Sequence, residues 1–112
     1  MIYPIKGRRA AAEMITLCET MFPVVIRIDA VSAIHDELFA ASQGRYDPIL
    51  QMKTLDDWCT EQFGPIAFSR AKPLVNPGVY GFINDEALWV RVDDEYRFRD
   101  TTQGTAFKLV WC

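Results

Sequence analysis

Val79-Tyr80-Gly81-Phe82-Ile83-Asn84-Asp85-Glu86-Ala87-Leu88-Trp89-Val90-Arg91-Val92-Asp93-Asp94-Glu95-Tyr96-Arg97-Phe98-Arg99-Asp100 is the stretch that decides the fold. Short runs rich in β-branched and aromatic residues are separated by clusters of Asn, Asp and Glu, the pattern of strands joined by tight turns. It predicts strands over Val79–Ile83, Ala87–Val92 and Tyr96–Arg99, with turns at Asn84-Asp85-Glu86 and Asp93-Asp94-Glu95. Three such runs in succession read as an antiparallel meander. Asp100 then sits where a helix N-cap belongs, and Ala106, Phe107, Val110 and Trp111 recur at helical spacing through the C-terminal end.

Upstream, helical patterns dominate. Ala11, Met14, Ile15, Cys18, Met21 and Phe22 share one side of a helix over residues 8–22, which Pro23 stops. Val24 to Ile28 is a β-branched run and reads as a strand, with Val24, Ile26 and Ile28 facing one way. Asp29 can cap a helix over residues 30–42, striped by Val31, Ile34, Leu38 and Ala41, and Gly44 lies beyond its end. Asp47-Pro48 restarts the chain in a turn or short helix. Thr54-Leu55-Asp56-Asp57 has the form of a capping box, with Leu55, Trp58, Cys59 and Phe63 on one face and Gly64-Pro65 as the stop. Residues 65–78 hold three prolines and read as a surface loop, with an edge strand around Ile66–Ser69.

Helices first and strands second, without β-α-β alternation, predict an α+β domain. Its helices would pack on one face of a small antiparallel sheet, a C-terminal β-meander followed by a short helix. The 112 residues fit a single domain over 1–112 with one core. The formal net charge of −3 disfavours nucleic acid as a partner, because phosphate binding needs a cationic surface. Cys18, Cys59 and Cys112 are three in number, widely spaced and without a C-x-x-C pair, so the expected compartment is reducing. The basic N-terminal segment lacks the apolar region of a signal peptide, and no apolar run reaches the length of a membrane span. The expectation is a cytoplasmic protein without a membrane partner.

The end of the chain resembles a known group. Phe98-Arg99-Asp100, followed by Thr105-Ala106-Phe107-Lys108-Leu109-Val110-Trp111, is similar to the tail of small uncharacterised bacteriophage and prophage proteins. Those end in a strand reading F-R-D or F-R-N and a short helix carrying F-K-L-x-W. Trp58-Cys59 before Phe63-Gly64 is a further likeness. The resemblance implies a phage-type accessory protein without catalysis that binds and modulates or inhibits a host protein, for host takeover or against host defence, in the bacterial cytosol.

The residues offer little to catalysis. His35 is the only histidine, and His35-Asp36-Glu37 cannot converge, since neighbours on a helix point about 100° apart. Zinc needs Cys and His in close pairs, which are absent, so no metal and no cofactor is expected. Asp56-Asp57 is explained by helix capping and Asp93-Asp94 by a turn. Ser32, Ser42 and Ser69 lack a nucleophile-elbow context. A small enzyme using Cys59 or His35 is one alternative, and a self-assembling structural protein, a homo-oligomer paired through a meander edge, is another.

Two surfaces are candidates for binding a protein partner. If Leu88, Val90 and Val92 face the core, Trp89 and Arg91 face out. If Tyr96 and Phe98 face in, Arg97 and Arg99 join them. Trp89, Arg91, Arg97 and Arg99 would then form one aromatic-cationic face. The alternatives are a solvated face with these arginines paired to Asp93, Glu95 and Asp100, or the opposite inward set, which moves the patch. The second surface is the 65–78 loop, where Phe68, Arg70 and Lys72 mix apolar and basic groups.

Overall fold

A computed structural model describes residues 1–28 and 48–112. The helix expected over residues 30–42, with His35 and Gly44, lies outside the described residues.

Alternation organises the chain into strands, but those strands divide between two sheets. β1 (Ile2–Lys6), β4 (Val79–Asn84) and β3 (Phe68–Arg70) form one antiparallel sheet in the order β1-β4-β3. β2 (Val24–Arg27), β6 (Glu95–Phe98) and β5 (Trp89–Val92) form the other, in the order β2-β6-β5. The expected α+β class therefore holds, and the expected single meander becomes two sheets. The Asn84–Leu88 corner is the reason: β5 leaves β4 and pairs with β6 instead, Trp89 opposite Phe98 and Arg91 opposite Tyr96. Among the described residues a backbone hydrogen bond links the two sheets, the Ala67 amide donating to the Trp89 carbonyl at 3.0 Å.

The helices are α1 (Ala10–Met21), α2 (Pro48–Phe63) and α3 (Thr101–Trp111). α2 begins at Pro48, whose fixed φ and missing N–H suit a first helical position. The expected cap at Thr54 is thus corrected: Thr54 lies inside the helix. Asp57 there bonds Lys53 one turn earlier, at 2.7 Å, in place of capping. Gly64 ends α2 with φ +89, a value that favours glycine. Asp100 and Gln103 form a capping box at the start of α3, the Gln103 Oε1 accepting from the Asp100 amide at 2.8 Å. Gly104, in mid-helix, is a packing residue. A Cβ there would sit 2.7 Å from Val24 Cγ1, so its absence lets α3 approach β2. Val110, expected to pack, is exposed, while Phe107 and Trp111 are buried.

Both faces of the β2-β6-β5 sheet are covered. On one, α2 and α3 bring Leu55, Cys59, Phe107 and Trp111 against Trp89, Tyr96 and Phe98. The rings interlock, with Tyr96 stacked on Phe107 at 5.3 Å and Trp58 edge-on to Trp111 at 5.9 Å. On the other face, Val90 packs with Cys18 and Phe22 of the α1 region and with Ile5 and Ile83 of the first sheet. No helix among the described residues is long and apolar enough to cross a membrane.

Candidate functional site

The register separates the residues expected to share one outward face. Trp89 lies in the core, 1% exposed, with its indole N–H donating to the Gly64 carbonyl at 2.8 Å. Arg91 shares its side of the sheet, opposite Tyr96. Arg97 lies opposite Val90, on the other side. Its guanidinium donates to the Phe22 carbonyl at 3.0 Å and to Glu95 at 3.3 Å. Arg99 bonds the carbonyls of Ala87 and Asp85 at 3.0 and 2.6 Å and lies 5.3 Å from the Phe22 ring centre. The expected Trp89/Arg91/Arg97/Arg99 face therefore does not form. Tyr96 and Phe98 share the side of Trp89, so when one strand's aromatic set is assigned inward, Arg97 and Arg99 fall on the side of Val90. Alternation holds within each strand, and the register between strands sets Trp89 and Arg91 beside Phe98 and Tyr96.

Arg91 is held from below. Its Nε donates to both carboxylate oxygens of Asp56 at 3.1 and 3.2 Å, and its Nη1 to the Asp93 carbonyl at 3.3 Å. The Tyr96 hydroxyl donates to Asp56 at 2.7 Å. Burial, reinforced by that bond, pushes the Tyr96 hydroxyl well above its ordinary range. Asp56 was expected to serve the helix start. It serves instead as the partner that fixes Arg91.

The structure brings Phe68, Arg70 and Arg91 together. A cleft of about 520 Å³ lies between the edges of the two sheets, lined by Phe68 and Arg70 of β3, Tyr80 of β4, and Arg91 and Val92 of β5. Met14 and Ile15 of α1 also border it. The sheets touch at Ala67 and Trp89. Past that bond the lining takes Phe68 and Arg70 from one strand and Arg91, Val92 and the acidic Asp93 from the end of the other. Both strands are sheet edges.

Tyr80 builds the cleft's floor, and it was not among the expected residues. On β1, Ile5 and Lys6 face Gly81 and Val79 in turn, so Tyr80 is an extra residue, a bulge in β4. The bulge turns the Tyr80 ring to the side of Phe68 and Arg70. Tyr80 stacks on Phe68 with centroids 5.6 Å apart, and the Arg70 guanidinium carbon lies 4.3 Å from the Tyr80 ring centre. Gly81 makes the room, since a Cβ there would overlap the Phe68 ring and the Ser69 carbonyl oxygen. A glycine inside a strand pattern signals a bulge or a close backbone approach, and Tyr80-Gly81 carried that signal.

Arg70 has the Tyr80 hydroxyl, at 3.5 Å, as its hydrogen-bond partner and no carboxylate among the described residues. Lys72 follows in the β3–β4 hairpin loop, exposed, its carbonyl accepting the Val75 and Asn76 amides at 3.0 and 2.9 Å. That ordered turn presents Leu74 fully exposed and Val75 mostly so.

Two of the three cysteines lie in the core, and Cys112 is exposed. Cys18 and Cys59 are fully buried. Burial pushes the Cys18 thiol up to about 11 and the Cys59 thiol further in the same direction, away from thiolate at neutral pH. Among the described residues, no group of three or more His, Cys, Asp and Glu side chains is placed to hold a metal ion. Comparison with family models, curated proteins and solved structures finds no match to this chain.

Proposed function

We propose that this chain is a non-catalytic binding protein that docks a partner's anionic group in the cleft between β3 and β5. The carrying observation is Arg70: a guanidinium laid on an aromatic ring, at the wall of a cleft, with no carboxylate partner among the described residues. Arg91 lines the facing edge with its guanidinium already paired to Asp56. Arg70 thus sets a cation without a carboxylate partner among the described residues in a cleft that Asp93 also lines, in a chain of net charge −3. Guanidinium groups suit carboxylates and phosphates, and stacking on a ring limits the freedom lost on binding. The resemblance of the C-terminal end to small phage proteins makes a bacterial host protein the expected partner, and the activity its modulation or inhibition.

Affinity capture from a bacterial lysate tests this reading. Wild-type protein is expected to retain a host protein that Arg70→Glu loses and that Lys6→Glu, on the far edge of the first sheet, keeps. Equal capture by the Arg70→Glu variant contradicts it.

A further inference from the structure

The cleft is bounded by strand edges as well as by side chains. The Asn84 amide donates to the Ala67 carbonyl at 2.7 Å and the Ala71 amide to the Tyr80 carbonyl at 3.1 Å. Hydrogen-bonded positions alternate in an antiparallel pair, so Ser69 and Ala71 face β4, while Ala67 divides its groups, its carbonyl on Asn84 and its amide on Trp89. The backbone N–H and C=O of Phe68 and Arg70 then point toward β5. On β5 the Arg99 amide donates to the Leu88 carbonyl at 3.0 Å. Leu88, Val90 and Val92 accordingly face β6, and the backbone groups of Arg91 point toward β3. Beside the Ala67–Trp89 bond, two sheet edges thus border one cleft with backbone groups that face away from their own sheets, and Arg70 and Arg91 both line it.

Such edges recruit a strand unless they are covered or blunted. β3 carries no proline, but at three residues with Arg70 at its end it is short and charged, so it offers an added strand only a short run of backbone groups. Met14, Phe68 and Val92 add apolar side chains to the lining beside Arg70 and Arg91, and Asp93 lines it too. We infer that the cleft takes an extended acidic peptide, which pairs its backbone with the exposed edges of β3 and β5 and sets a carboxylate on Arg70. Alternation along a strand places every second side chain on one side. A segment of alternating acidic and β-branched residues therefore meets the guanidinium groups and the apolar side chains together. Strand addition draws its affinity from main-chain bonds and its selectivity from alternate side chains. This inference rests on the reading of the cleft as a binding site and adds the form of its occupant.

The test uses a fluorescein-labelled hexapeptide of alternating Val and Glu, followed by fluorescence anisotropy. Four competitors or variants accompany it: the peptide with Lys in place of Glu, the peptide N-methylated at alternate amides, free glutamate, and Arg70→Ala protein. Thermal melting of the variant confirms that it is folded. The Val/Glu peptide is expected to bind, and each of the Lys exchange, N-methylation and Arg70→Ala to weaken it by about tenfold or more. Free glutamate at the same residue concentration is expected not to compete. Equal binding of the N-methylated peptide, still dependent on Arg70, overturns strand pairing and leaves the anionic docking site standing. Competition by glutamate overturns it in favour of a small anion. No binding of any peptide overturns the inference outright, while the docking site is judged separately by host-protein capture.

Discussion

Arg91 and Arg70 each lie against a tyrosine at the edge of a sheet, and they differ in what completes them. Arg91 lies opposite Tyr96, and Asp56 on α2 takes both its guanidinium and the tyrosine hydroxyl. Arg70 lies on Tyr80 and finds no acid among the described residues. Both arginines border the cleft, the first with its charge taken up by Asp56 and the second with no carboxylate among the described residues. The same two side-chain types are thus structural where a third element supplies the carboxylate and available where none does. Composition cannot separate the cases, because the deciding carboxylate comes from a helix distant in sequence.

The largest effect is expected where the aromatic layer is broken. Phe107 is fully buried against Tyr96 and Phe98. Phe107→Ala is expected to cost about 3–5 kcal/mol in denaturant unfolding, by lost burial and the cavity left behind. Gly81→Ala forces a Cβ into the Phe68 ring and the Ser69 carbonyl. A loss of about 1–3 kcal/mol is expected, as for other overpacked sites, with disturbance of the Tyr80 stack visible in near-ultraviolet circular dichroism.

Asp56→Ala sharpens the comparison more directly. It leaves the Tyr96 hydroxyl and the Arg91 guanidinium without their carboxylate, so a loss of about 1–3 kcal/mol is expected, while Arg70→Ala removes one exposed stacking contact worth about 0.5–1 kcal/mol. Equal losses from the two would remove the distinction between a closed and an open arginine.

Alkaline pH reports on the buried thiols. Cys18 rises from 9.0 to about 11 on folding, so the folded state holds its proton more tightly than the unfolded chain. The stability this contributes is fully present below the unfolded value and is lost as pH rises from about 9 toward about 11. Cys18→Ala is expected to flatten that part of the urea-midpoint profile against pH and to leave the profile below pH 9 unchanged in shape.

Much of the framework could be read in the residues. Pro23 and Gly64-Pro65 stop α1 and α2 where expected, and Asp100 starts α3, because these signals act within one turn of backbone. β1 escaped notice because only Ile5 of its five residues is buried and Pro4 interrupts it, a pattern that fits an edge strand as well as a tail. Thr54 was misread as a cap because a Thr-x-x-Asp spacing occurs inside helices too. At the site, Phe68 and Arg70 were legible as a mixture of apolar and basic groups in the 65–78 loop, whereas Arg91 fell in the other expected surface. Trp89 was not legible, since alternation tells two faces apart but not which is covered, and here both are. Asp56 and Tyr80 depend on contacts between elements and on a bulge, and neither follows from local pattern alone.

The most direct test compares stability and binding in one variant. For Arg70→Ala, thermal melting and anisotropy with the labelled Val/Glu peptide are measured side by side with wild type. The account expects a melting curve shifted by no more than a few degrees together with loss of peptide binding. Peptide binding equal to that of wild type in the folded variant would contradict the claim that the open arginine makes the cleft a docking site.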